Sequence, residues 1–95
     1  MKIEQFNRET KGFFKASDDG KEAGRMTYYW ESENHFVINH TEVNDAFSGK
    51  GVGLQMVEAA VAFARENNLK ITPTCPFAKK QFDRHEEWKD VLFGA

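Results

Sequence analysis

Ser48-Gly49-Lys50-Gly51-Val52-Gly53 lies between a strand-like run and a strongly amphipathic stretch. Its three glycines leave backbone amides bare and add little side-chain bulk. A loop of this kind that opens into a helix points N–H groups and the positive end of the helix dipole at an anion. That arrangement suits a phosphate-bearing ligand. The bland alternative is a tight strand-to-helix connection in which glycine only permits close packing. Further along comes the only cysteine, Cys75, between Pro73-Thr74 and Pro76. Pro76 is well placed as the first residue of a helix, which puts the thiol at a helix N-terminus. There the dipole and the free amides stabilise a thiolate and make it a candidate nucleophile. A single cysteine in a small core is also often just a small buried hydrophobe.

Length and composition bound what can surround these residues. A chain of 95 residues is expected to form a single domain, 1–95. It buries roughly 60–65 % of its unfolded surface, enough for one core. The formal charge of −2 and pI of 5.9 provide no general attraction to nucleic acid or an anionic membrane. Met1 to Gln5 has no signal-like apolar stretch, and no segment approaches the ~20 apolar residues of a membrane span. One cysteine forms no internal disulfide, which fits a reducing cytoplasm.

The elements that must position the loop and the thiol change period part-way along the chain. Ile3–Asn7 and Gly12–Ala16 are expected strands, followed by a turn at Ser17-Asp18-Asp19-Gly20. Ala23–Trp30 alternates Met26, Tyr28 and Trp30 with Arg25, Thr27 and Tyr29, as a strand does. After a turn at Glu31–Asn34, Phe36–Val43 is a fourth strand. From Val52 to Asn67 the period becomes helical. Leu54, Val57, Ala60, Val61 and Ala64 form one stripe, widened by Met56 and Phe63, as in a helix lying on a sheet. Asn67-Asn68 ends it. Leu69–Cys75 returns as a strand, with Pro73 calling for an edge or irregular pairing. Pro76 to about Arg84 is a short helix, and Trp88, Val91, Leu92 and Phe93 form an apolar tail. The expected class is α+β: a mixed, mostly antiparallel sheet layered with one long and one short helix.

This order of elements resembles the GNAT superfamily of acyl-CoA-dependent N-acetyltransferases, and more closely its small stand-alone subfamily of about a hundred residues. His40-Thr41-Glu42-Val43, Gly49-Lys50-Gly51-Val52-Gly53, Ala64–Lys70 and Cys75-Pro76-Phe77 with His85 downstream carry the resemblance. It implies the minimal acyl-CoA N-acyltransferase fold, acetyl-CoA as co-substrate, an amine acceptor and no metal. It implies that the CoA pyrophosphate sits on Ser48 to Gly53, with Phe77 bordering the site. It also implies that the strand ending at Thr41, Glu42 and Val43 splays from the one ending at Cys75. Pantetheine would then pair with the exposed backbone as an added strand does. Cys75 is implied to lie near the acetyl carbon. Ser48 departs from the pattern, which usually has Arg or Gln there, and so removes a side-chain anchor.

His40 and Glu42 are candidate bases, because an ammonium must lose a proton before it attacks and imidazole titrates near neutrality. A histidine satisfied by hydrogen bonds at a strand end is the alternative. Strict alternation puts both on the face of Phe36 and Ile38 unless a bulge shifts the parity. Lys50 adds a cation or is a solvated loop lysine. Phe82 stands where many larger relatives place a proton-donating Tyr, and as a Phe it reads as core; His85 and Trp88 either wall the cleft or cover the core. The resulting reading is an acetyltransferase with an open acceptor site, acting as a monomer or weak homodimer. The other reading is a CoA or acetyl-CoA binding module with little turnover.

Overall fold

The computed structural model describes residues 1–95. Strands β1 (Lys2–Asn7), β2 (Lys11–Asp18), β3 (Lys21–Ser32) and β4 (His35–Val43) form an antiparallel meander. Helix α1 (Val52–Glu66) then crosses to β5 (Lys70–Pro73), which pairs parallel with β4 at the far edge. Helix α2 (Pro76–Arg84) follows, and one-turn helices stand at Asp45–Phe47 and Glu86–Trp88. The α+β class and the order of elements match the sequence expectation.

Local chemistry accounts for the turns. Asp19 and Gly20 both take positive φ, 51° and 79°, as the two-residue hairpin between β2 and β3 requires. Asn68 takes φ 56° just beyond α1, where the left-handed residue that stops a helix belongs. Helix α1 packs one face on the sheet, burying Val52, Gly53, Met56, Val57, Ala60, Val61 and Ala64. Met56 is fully buried, whereas Leu54 is only half-buried, so the stripe is centred nearer Met56 than the spacing of Leu54 and Val57 implied. Phe14, Met26, Tyr28, Phe36 and Ile38 face it from the sheet. Phe82 and Trp88 are in the core, rings 5.3 Å apart, as the packing reading expected; His85 stacks on Trp88 at 3.9 Å. No helix is long and apolar enough to cross a membrane.

Strand β5 is shorter than the expected Leu69–Cys75. Pro73 brings no amide to the ladder. The amides of Thr74 and Cys75 both reach the Ile38 carbonyl, at 3.0 and 3.1 Å, and the chain turns there into α2. The C-terminal tail is not free. The Ile71 amide donates to Val91 and the Phe93 amide to Ile71, at 2.7 and 2.9 Å, so Leu92 pairs parallel to Ile71. Arg65 on α1 holds this tail through a two-pronged pair with Asp90, both bonds 2.7 Å.

Tyr28 carries the one buried phenol network. Its hydroxyl donates to Asn7 and accepts from Gln5, each at 2.8 Å. Burial, partly offset by the Gln5 bond, raises its pKa above the usual 10.0. The native state therefore keeps the phenol proton longer than the unfolded chain does. The associated stability is fully present below about pH 10 and is lost as pH rises beyond it. Urea unfolding at pH 8 and above pH 10 is expected to show this fall, and Tyr28→Phe to show a shallower one, after a loss of about 1 kcal/mol at pH 8.

Candidate functional site

The glycine loop behaves as a donor surface. Gly49 and Gly51 take φ of 78° and 72°, a region costly for residues with a Cβ. Gly51 is the N-cap of α1 and has no side chain with which to cap it. The first helical bond runs from the Gln55 amide to the Gly51 carbonyl, 3.0 Å. The amides of Val52, Gly53 and Leu54 thus have no partner within the helix. Those of Gly49, Lys50 and Gly51 enter no turn or loop bond either. The amides from Gly49 to Leu54 are thus a run without intramolecular partners, with no acidic residue in the first turn, although Val52 and Gly53 are buried. Ser48 is exposed and its amide bonds back to Asp45. The Lys50 ammonium lies 5.6 Å over the Phe47 ring.

Gly53 does a different job from its neighbours. A Cβ there would stand 2.6 Å from the tip of the Phe77 ring, whereas around Gly49 and Gly51 there is open space. Gly53 is therefore the position where the ring of α2 seats against the start of α1. Gly24 does the same on the sheet side, since a Cβ there would meet the Glu42 carbonyl at 2.8 Å and Val52 at 3.0 Å. The end of β4, the start of α1 and the start of α2 consequently converge.

Strands β4 and β5 part at this convergence. Their ladder runs from His35↔Lys70 to Ile38↔Pro73 and stops. Beyond it, His40 to Val43 pair only with β3, so their other edge has no partner strand. Cys75 stands in the opening as the N-cap of α2 and makes no capping bond to it. It is buried, and its thiol donates to the Thr41 hydroxyl at 3.3 Å. The site thus gathers Thr41, Cys75, Phe77, Gly53 and the loop.

His40 and Glu42 fall elsewhere. Thr27 pairs with His40 but Tyr28 pairs with Ile38, so Asn39 is an extra residue and β4 carries a bulge. The bulge moves every later residue to the other face. Phe36 and Ile38 point into the core, yet Thr41 and Val43 take that side after Asn39, Thr41 through its bond to Cys75. Strict alternation therefore fails for His40 and Glu42. They lie on the outer face, mostly exposed, with His40 Nε2 2.9 Å from Glu42 Oε1. Asn39 was the residue missed from the sequence, because a one-residue bulge leaves no trace in a hydrophobic pattern.

A meander closed by one parallel strand that splays beside a glycine loop is the architecture of acyl-CoA N-acyltransferases, and the sequence agrees. The chain belongs to the GCN5-related N-acetyl-transferase family, whose sequence profile matches residues 13–91. It is similar to a GCN5-like protein from Staphylococcus aureus, solved in solution by NMR. That similarity is 36 % identity over 97 % of this chain and 89 % of the other, with a TM-score of 0.70. It is also 40 % identical to Protein NATD1 of Homo sapiens over 55 residues, 58 % of this chain and 49 % of that one. The chain spans about half the length of the curated relatives it matches. An aminoglycoside N-acetyltransferase solved in complex with CoA shares the fold at 14 % identity, with a TM-score of 0.62 over 92 % of this chain and 89 % of the other.

Proposed function

We propose that residues 1–95 act as one domain that binds acetyl-CoA in the β4–β5 opening and transfers its acetyl group to an amine. The observation that carries this reading is the end of the β4–β5 ladder at Ile38↔Pro73, with Cys75 in the gap. Acetyl-CoA supplies an activated thioester. The amides of Gly49 to Leu54 hold its pyrophosphate, and Ser48 and Lys50 border it. The free edge of β4, through Thr41, Glu42 and Val43, receives the pantetheine arm as an added strand. Phe77 walls the opening from α2.

In this reading Cys75 takes the acetyl group. Its sulfur forms a bond to the thioester carbonyl carbon, the bond to the CoA sulfur breaks, and the thiol proton leaves on CoA. An amine then attacks the Cys75 thioester, which returns as the thiol. An amine that approaches from the outer face meets His40, 2.9 Å from Glu42, which takes the proton of the ammonium before the attack. Phe82, buried against Trp88, has no proton to give a leaving thiolate. That absence favours a second reading, in which the chain binds acetyl-CoA with little turnover. The reduced thiol fits a cytoplasmic setting.

A melting-temperature series tests the ligand class. CoA and acetyl-CoA are expected to raise the midpoint, with ligand at a hundred times Kd adding ~2.7 kcal/mol of stability. ATP at equal concentration should shift it less. No shift with either CoA compound would end both readings. A shift with CoA but no acetylated product from any amine would select the second.

A further inference from the structure

The face of the sheet turned away from α1 carries a cavity of about 320 Å³ that the proposed chemistry does not use. Phe13, Thr27 and Tyr29 line it between β2 and β3, Asn39 closes it at the bulge, and Arg8 and Lys11 stand at its rim. Phe13, Thr27 and Tyr29 alternate with Phe14, Met26 and Tyr28, which belong to the core, so their side chains lie on the opposite face, and Gly12 and Tyr28 also border the cavity. Arg8 and Lys11 bring only donors, whereas the Thr27 and Tyr29 hydroxyls and the Asn39 amide both donate and accept. Arg8 and Lys11 make no ion pair in the protein. The Asn39 carbonyl accepts from the Thr27 hydroxyl at 2.7 Å, which leaves its NH₂ without a protein acceptor. No carboxylate lines the cavity, although acidic residues outnumber basic ones in the chain, 15 to 13. Glu9, Glu31 and Glu33 line a separate depression that shares Arg8. The Tyr29 ring, 38 % exposed, adds an aromatic wall.

We propose that this cavity is a second ligand site, separate from the glycine loop, for a small molecule that joins an aromatic ring to an anionic head. The ring lies against Tyr29; the Phe13 ring, already stacked on Phe6 at 4.9 Å and under the Arg25 guanidinium at 4.2 Å, only borders it. The head, a carboxylate or a phosphate, accepts hydrogen bonds from Arg8, Lys11 and the Asn39 amide. Apolar walls with a few convergent polar groups are the ordinary make-up of a small-molecule site. The inference stands whether or not the chain proves to be a transferase.

Amide-resolved NMR titration of the full chain tests it, with phenylacetate, phenyl phosphate and benzylamine as probes. At least one of the two anions is expected to give saturable shifts at Gly12, Tyr29 and Asn39, and which one does so identifies the head. Benzylamine should leave those amides in place. The double variant Arg8→Ala with Lys11→Ala changes only exposed side chains and should weaken anion binding about fivefold, the effect of two exposed charge pairs. Equal binding of benzylamine, shifts confined to Gly49–Leu54, unchanged affinity in the double variant, or no saturable shift with either anion would each overturn the proposal.

Discussion

Cys75→Ala is expected to abolish acetyl loading of the protein while leaving CoA binding within a few-fold of the parent. Incubated with acetyl-CoA and examined by intact mass, the parent should gain one acetyl group and the variant none. The expectation rests on placement. Cys75 is the N-cap of α2, stands where β4 and β5 part, and hydrogen-bonds Thr41 on the freed edge of β4. The thiol is also part of the core, so alanine loses packing, at about 1 kcal/mol or somewhat more. Urea unfolding therefore has to accompany the mass measurement. Cys75→Ser keeps the volume and a hydroxyl for Thr41, and should be the better-folded control with the same absence of a stable thioester. If both variants acetylate an amine as fast as the parent, the acetyl group passes directly from CoA and Cys75 only lines the cleft.

Gly53→Ala separates the two jobs of the glycine loop. The added methyl would collide with the Phe77 ring at 2.6 Å. Phe77 is partly exposed and the contact is at its tip, so the ring can swing aside without moving backbone. Alanine is also the better helix former by about 1 kcal/mol, which offsets the lost ring contact. Stability should change by less than about 1 kcal/mol, whereas CoA affinity should fall roughly tenfold or more, since one misplaced wall loses a buried contact worth about 1.4 kcal/mol or more. Gly51→Ala makes the opposite test. Its Cβ meets nothing, but φ 72° strains it by roughly 1–2 kcal/mol, so stability should fall and any loss of affinity follows the distorted amides. A Gly53→Ala protein that binds CoA like the parent would mark Phe77 as a spectator.

Much of this arrangement was readable beforehand, for identifiable reasons. The change of period at Val52, the glycines ahead of it and Pro76 after the thiol are local signals, and local signals place α1, the loop and α2 correctly. The splay was legible only through the family resemblance, although Pro73 supplied a physical hint. What escaped depends on partners distant in sequence. The Asn39 bulge is defined by its register against β3 and reverses the faces of His40 and Glu42. The pairing of Leu92 with Ile71 and the clasp of Arg65 on Asp90 bring the chain end back to β5 and α1, which no short window of sequence can show. The outer cavity exists only because β2, β3 and the bulge of β4 lie side by side.

The central claim is that the glycine loop and the freed edge of β4 form one continuous binding surface for CoA. Amide-resolved NMR titration with CoA addresses it directly. Saturable shifts should appear together, with one Kd, at Gly49 to Leu54 and at Thr41 to Val43, and Gly12, Tyr29 and Asn39 should stay still. Shifts at the loop alone, or at neither segment while CoA is in large excess, would contradict the account.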